Sequence, residues 1–78
     1  PKPDPRHLLY AMELLGVEPG DTLFIGDTTT DLHTADAAGV EFVGYWRDDA
    51  WAQRLMDEGC TRMVKDLREL PRLVKGIA

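Results

Sequence analysis

The stretch LFIGDTTTDLHTADAAGV, residues 23 to 40, decides how this chain folds. Thr22 to Ile25 form a short apolar run of the kind found in a strand covered on both faces of a parallel sheet. Gly26 and Asp27 end that run. Leu32, Ala35 and Ala38 then recur at helical spacing, and Gly39 supplies the residue that best tolerates a left-handed C-cap. A helix starting near Thr29 or Thr30 and stopping at Gly39 follows, so the segment reads as a strand feeding straight into a helix.

The same alternation extends in both directions. Upstream, Asp4 and Pro5 form a helix-start signal: the carboxylate accepts from orphan amides, and proline suits the first helical position. Leu8, Met12 and Leu15 recur on one face up to Gly16, which predicts a helix from Pro5 to Leu15. Pro19 and Gly20 mark a turn. Downstream, Val40 to Tyr45 reads as a second strand, Ala50 to Glu58 as a helix ended by Gly59, and Thr61 to Val64 as a third strand. Asp66 with Glu69 three residues later resembles a capping box for a last helix to about Lys75, interrupted by Pro71. Strands separated by helices, with no hairpin dipeptide between them, predict right-handed parallel crossovers. The fold class is therefore α/β, an open sheet of three short parallel strands alternating with about four helices.

Composition limits what such a chain does. Its 78 residues are 44% hydrophobic and 29% charged, an ordinary globular mixture that fits one domain. A chain of this size buries only about 60% of the surface its unfolded state exposes, so its core calls for further support. The opening on Pro1, inside a lysine-proline phrase, reads as a piece of something longer. The net charge of −5, with its nine basic residues scattered, argues against nucleic acid and anionic membranes as partners. No apolar run approaches the roughly 20 residues of a membrane span. The single Cys60 reads as a small apolar core residue, and the expected setting is the cytoplasm.

The chemistry-bearing positions are Asp27 and Asp31. In an open parallel sheet, ligands bind beyond the carboxyl ends of the strands, where Asp27 sits one glycine past its strand. Gly26 would let the backbone turn closely there. Asp31, four residues on, falls in the first turn of the next helix, so both carboxylates can face one small volume. Two neighbouring anions call for a shared proton or a cation, and Mg²⁺ typically takes one or two carboxylates plus a substrate phosphate. The same residues also have a plain structural use, because aspartates and threonines at a strand-to-helix junction cap the helix and favour its dipole. Thr28, Thr29 and Thr30 read first as caps. Lys2 adds a point cation that would stabilise a phosphoryl group if fixed near it.

KPDPRHLLYAMELLGVEPGDTLFIGDTTTDLHTADAAG, residues 2 to 39, closely resembles the C-terminal half of haloacid dehalogenase superfamily phosphatases, especially the phosphoglycolate phosphatase-like group. The resemblance implies a Rossmann-like core. It also implies that Lys2 contacts the phosphate and the nucleophile, that Asp27 binds Mg²⁺, and that Asp31 helps hold the metal's water shell or the lysine. A cis bond between Lys2 and Pro3 is often part of the same pattern. True haloacid dehalogenases work without Mg²⁺ and usually lack the GD-x-x-x-D arrangement, which favours a phosphatase.

The departure from the family is large. The family's nucleophile and its general acid and base come from an N-terminal D-x-D segment, and no D-x-D occurs in this sequence. Asp48 and Asp49 are adjacent and stand where a helix begins. The cap that selects substrate would also lie upstream. Residues 1–78 are thus expected to be the C-terminal half of a hydrolase core, inactive alone, whose partners are the missing N-terminal half and a small phosphorylated metabolite. Two alternatives stay open: a non-catalytic α/β partner-binding module that keeps the motif as a relic, and a related mutase or phosphonate hydrolase. His7 and His33 read as helix-surface residues, with a minor substrate contact open to His33. Trp46 and Trp51 read as packing anchors, and Arg47, Asp48 and Asp49 as a solvated loop and helix start.

Overall fold

The computed structural model describes residues 4–70, and the expectations for Lys2, for the Lys2–Pro3 bond and for a helix continuing to Lys75 lie outside them. The chain order is helix α1 (Arg6–Leu15), strand β1 (Leu23–Gly26), α2 (Thr29–Ala38), β2 (Glu41–Tyr45), α3 (Asp49–Asp57) and β3 (Met63–Val64). Short 3-10 turns stand at Pro19–Asp21 and Leu67–Glu69. The three strands form one parallel sheet in the order β1-β2-β3, with Phe24 opposite Phe42 and Gly26 opposite Gly44. Consecutive right-handed crossovers in one direction place α2 and α3 on the same face.

Local signals set these bounds. Asp4 Oδ1 accepts from Arg6 N at 3.0 Å while Pro5 occupies the N-cap, so α1 begins one residue later than predicted. Gly16 and Gly39 end α1 and α2 in the left-handed region, at φ 69° and 71°, where a Cβ would be strained. Asp48 Oδ1 accepts from Trp51 N at 2.8 Å and fixes the start of α3. The predicted capping box at Asp66 and Glu69 is present, with Glu69 Oε2 accepting from Asp66 N at 3.0 Å. Thr22 and Val40 fall outside the strands that were expected to include them. Each stands one residue before its strand, and Val40 N donates instead to Ala35 O behind the α2 cap.

The core lies between the sheet and the helices. Met12 of α1, Leu32, Ala35 and Ala38 of α2, and Leu55 of α3 gather with Phe42, and Phe24 packs against them. The two phenylalanine rings meet edge to face with centroids 6.2 Å apart. Cys60 is buried in the same cluster, as an apolar residue should be.

Burial departs from the apolar pattern at two positions. Leu15 shares its helical spacing with Leu8 and Met12, yet it is 75% exposed: α1 docks through Met12 and Leu8, and among the described residues nothing covers Leu15. β1 was expected to be covered on both faces, yet Ile25 is 37% exposed while its register partner Val43 is fully buried. The second face of the sheet is therefore closed over β2 and open over β1. β1 also pairs with β2 alone among the described strands, leaving its other edge free.

Candidate functional site at the carboxyl edge of the sheet

Parallel pairing brings the ends of the strands to one edge. Asp27 leaves β1 directly after Gly26, and Trp46 and Arg47 leave β2 two and three residues past Gly44, the register partner of Gly26. Arg47 Nη1 lies 3.2 Å from Asp27 Oδ2, the side chains being 42% and 32% exposed. Its Nε lies 3.4 Å from Asp48 Oδ2, and its guanidinium carbon stands 5.0 Å from the centre of the Trp51 ring. Asp48 and Trp51, both from the start of α3, thus hold the guanidinium beside the Asp27 carboxylate.

Asp31 has a different task. Its Oδ2 accepts from Asp27 N at 3.2 Å and from Thr28 N at 3.3 Å, while its own N–H donates to Thr28 Oγ1 at 3.2 Å. That is a reciprocal capping box at the start of α2, with Thr28 as the N-cap. Asp31 therefore folds back over the loop and fixes the backbone that carries Asp27. Asp31 thus serves the structural use that the sequence also offered, with its Oδ2 bonded to two loop amides.

Gly26 takes its role from the same contact. A Cβ at position 26 would stand 2.4 Å from Asp31 Cβ, 2.6 Å from its Oδ2 and 2.7 Å from its Cγ. No positive φ is involved at this glycine. The sequence reading asked for a close turn; the structure supplies a close approach by the aspartate side chain.

The rest of the edge is aromatic and cationic. Trp46 Nε1 donates to Asp49 Oδ1 at 2.8 Å, and Lys65, the residue after β3, places Nζ 4.6 Å from the Trp46 ring centre. Both tryptophans are half-buried. His33 pairs with Glu58, at 2.7 Å from Nε2 to Oε1, and His7 is exposed. A surface depression lined by Leu32, Phe42 and Cys60 and another lined by Thr29, Arg54 and Glu58 do not include Asp27, Asp31 or Arg47.

Among the described residues no three His, Cys, Asp or Glu side chains gather closely enough to hold a metal ion. The donor chemistry at Asp27 nevertheless fits Mg²⁺: it is a partly exposed carboxylate at the sheet edge, and Mg²⁺ is commonly held by one or two carboxylates with water and phosphate completing its shell. Arg47 lies in an exposed loop ahead of the α3 start, as expected, but its contact with Asp27 was not foreseen. The available signal was its place directly after an apolar strand run parallel to the one that ends at Asp27.

The sequence profile of the haloacid dehalogenase-like hydrolases matches residues 1–45. A Pseudomonas putida protein named "Probable phosphoglycolate phosphatase" is 41% identical over 69 residues, covering 88% of this chain and 28% of its own length. The "Phosphoglycolate phosphatase 1" of Pseudomonas aeruginosa is 38% identical over 69 residues, covering 88% of this chain and 25% of its own. A crystal structure of a conserved haloacid dehalogenase-like protein of unknown function from Agrobacterium tumefaciens superposes with a TM-score of 0.85 at 26% identity, covering 97% of this chain and 36% of that one. The chain thus spans about a quarter of the length of the curated relatives it matches. Its sheet order, its GD-x-x-x-D junction and these matches agree, and the chain belongs to the haloacid dehalogenase-like hydrolases.

Proposed function

We propose that residues 1–78 are the C-terminal part of the core of a Mg²⁺-dependent phosphomonoesterase, acting on a small phosphorylated metabolite through an aspartyl-phosphate intermediate. The observation that carries this reading is Asp27: a half-exposed carboxylate at the carboxyl end of a parallel strand, held in place from behind by the Asp31 capping box. The names of the relatives make phosphoglycolate the first substrate to test.

In this reading Asp27 contributes a carboxylate oxygen to the metal, Asp31 positions the Asp27 loop, and Gly26 makes room for Asp31. Lys2 offsets phosphoryl charge, as the family resemblance implies. A bound Mg²⁺ would polarise the phosphoryl oxygens and neutralise part of their charge. The nucleophile and the proton-transfer group come from an upstream D-x-D segment, whose strand the free edge of β1 and the uncovered Ile25 are suited to receive. Residues 1–78 alone are then inactive.

The test is Mg²⁺-dependent hydrolysis of an aryl phosphate and of phosphoglycolate by residues 1–78 and by a version extended upstream through a D-x-D segment. Activity should appear only in the extended version and vanish in Asp27→Asn and Lys2→Ala. Activity unaffected by Asp27→Asn would remove the metal role. An inactive extended version would leave Asp27 and Asp31 as helix-start chemistry and favour the partner-binding module.

A further inference from the structure

We propose that Arg47 is an internal counter-cation to Asp27 that lowers the affinity of this carboxylate for a divalent cation. This rests on the reading of Asp27 as the metal ligand and adds a residue that tunes it.

The guanidinium is always charged, and Nη1 stands 3.2 Å from Asp27 Oδ2, where it competes directly with any other cation for that oxygen. Asp27 is not its only contact. Asp48 Oδ2 holds Nε at 3.4 Å, and Asp48 is itself fixed by its other oxygen, which accepts from Trp51 N at 2.8 Å and caps α3. The Trp51 ring supports the guanidinium, with 5.0 Å from Cζ to the ring centre. Two contacts besides Asp27 thus keep the guanidinium at the edge where a second cation would bind. The two positive charges then repel, and the cation binds only by displacing or sharing the arginine's contact with Asp27.

Asp48 controls how far this competition goes. As long as its carboxylate is charged, Arg47 is shared between two anions and its hold on Asp27 is partial. Replacing Asp48 by asparagine keeps a competent N-cap for α3 but removes the second anion, leaving Arg47 to Asp27 alone. The two substitutions thus have opposite signs, a pattern that a general change in stability does not produce.

The experiment is calorimetric titration of Mg²⁺ and Mn²⁺, without substrate, into the metal-stripped extended protein and its Arg47→Gln, Asp48→Asn and Asp27→Asn variants. Far-UV circular dichroism checks that each variant is folded. Exposed ion pairs set the scale, so Arg47→Gln should tighten binding about two- to five-fold and Asp48→Asn should weaken it by a similar factor. Unchanged or weaker binding in Arg47→Gln, with binding lost in Asp27→Asn, overturns the role of Arg47 and leaves the metal site standing. Unchanged binding in Asp27→Asn overturns the metal site, and the role of Arg47 with it.

Discussion

Gly26→Ala should be one of the more damaging small changes available to this fold, although it adds a single methyl group. The new Cβ would meet Asp31 Cβ at 2.4 Å, Oδ2 at 2.6 Å and Cγ at 2.7 Å, and the nearest of these, Cβ, is fixed to the backbone and cannot rotate away. Forcing extra volume into a packed position costs about 1–3 kcal/mol. Swinging Asp31 away to relieve it gives up the bonds to Asp27 N and Thr28 N, and an N-terminal cap is worth about 1 kcal/mol. Against this, alanine restricts the unfolded chain and returns about 0.4–1 kcal/mol. The net loss is about 2 kcal/mol. Urea unfolding followed by tryptophan fluorescence measures it, since Trp46 and Trp51 both stand near this edge. The decisive comparison is the same substitution in an Asp31→Gly background, where all three clashing atoms are gone and the cost should drop below about 0.5 kcal/mol. Equal costs in the two backgrounds would refute the assignment of Gly26 to a close approach by Asp31.

Other positions give independent tests. Leu55 is fully buried in the shared core of α3 and the sheet, so Leu55→Ala should cost about 2–5 kcal/mol by chemical denaturation, and a loss under 1 kcal/mol would mean that the packing described is wrong. Thr28→Ala removes the acceptor for Asp31 N and should cost about 1 kcal/mol, whereas Thr28→Ser should be nearly neutral. Arg6 holds the Asp4 carboxyl down to about 2 from the usual 3.8, first through side-chain hydrogen bonds and then through its backbone N–H. Because folding lowers this value, the stabilisation from Asp4 is present above about pH 3.8 and is lost as the pH falls through about 2. NMR titration should find the low midpoint in the parent and a rise toward 3.8 in Arg6→Ala; a parent midpoint already at 3.8 would contradict the pairing.

The helices and strands could be read from sequence because their ends carry local chemistry. Gly16 and Gly39 stop helices through backbone geometry alone, and Asp48, Asp66 and Thr28 start them through contacts with amides two or three residues away. Such signals need no tertiary partner. Strand order followed from the helices between the strands, because a parallel pair needs a crossover and crossovers have one hand. What was not legible was burial, at Leu15 and Ile25. Both are apolar residues at the correct period for a covered face, but periodicity records which face is apolar and carries no information on what lies against it.

The same distinction separates the parts of the site. Asp27 was visible because its place relative to β1 is a matter of counting residues past a strand. Asp31 was visible as an acid but not in its orientation, since a carboxylate in the first turn of a helix has two competing uses, toward a ligand or back toward the loop amides. The closeness of Gly26 to Asp31 resolves that competition: the glycine is needed because one carboxylate oxygen points backward, so the residue before Asp27 and the residue four after it act as one device that holds Asp27 at the edge. Arg47 was hidden because it lies 20 positions from Asp27 in sequence and adjacent to it only through the register that sets Gly26 against Gly44. In a parallel sheet every residue just past a strand shares an edge with its counterparts on neighbouring strands. The polar residue after each apolar run should therefore be read as one set before any is dismissed as loop, and here that set is Asp27, Arg47 and Lys65, an anion past the edge strand β1 beside two neighbouring strands that are each followed by a cation.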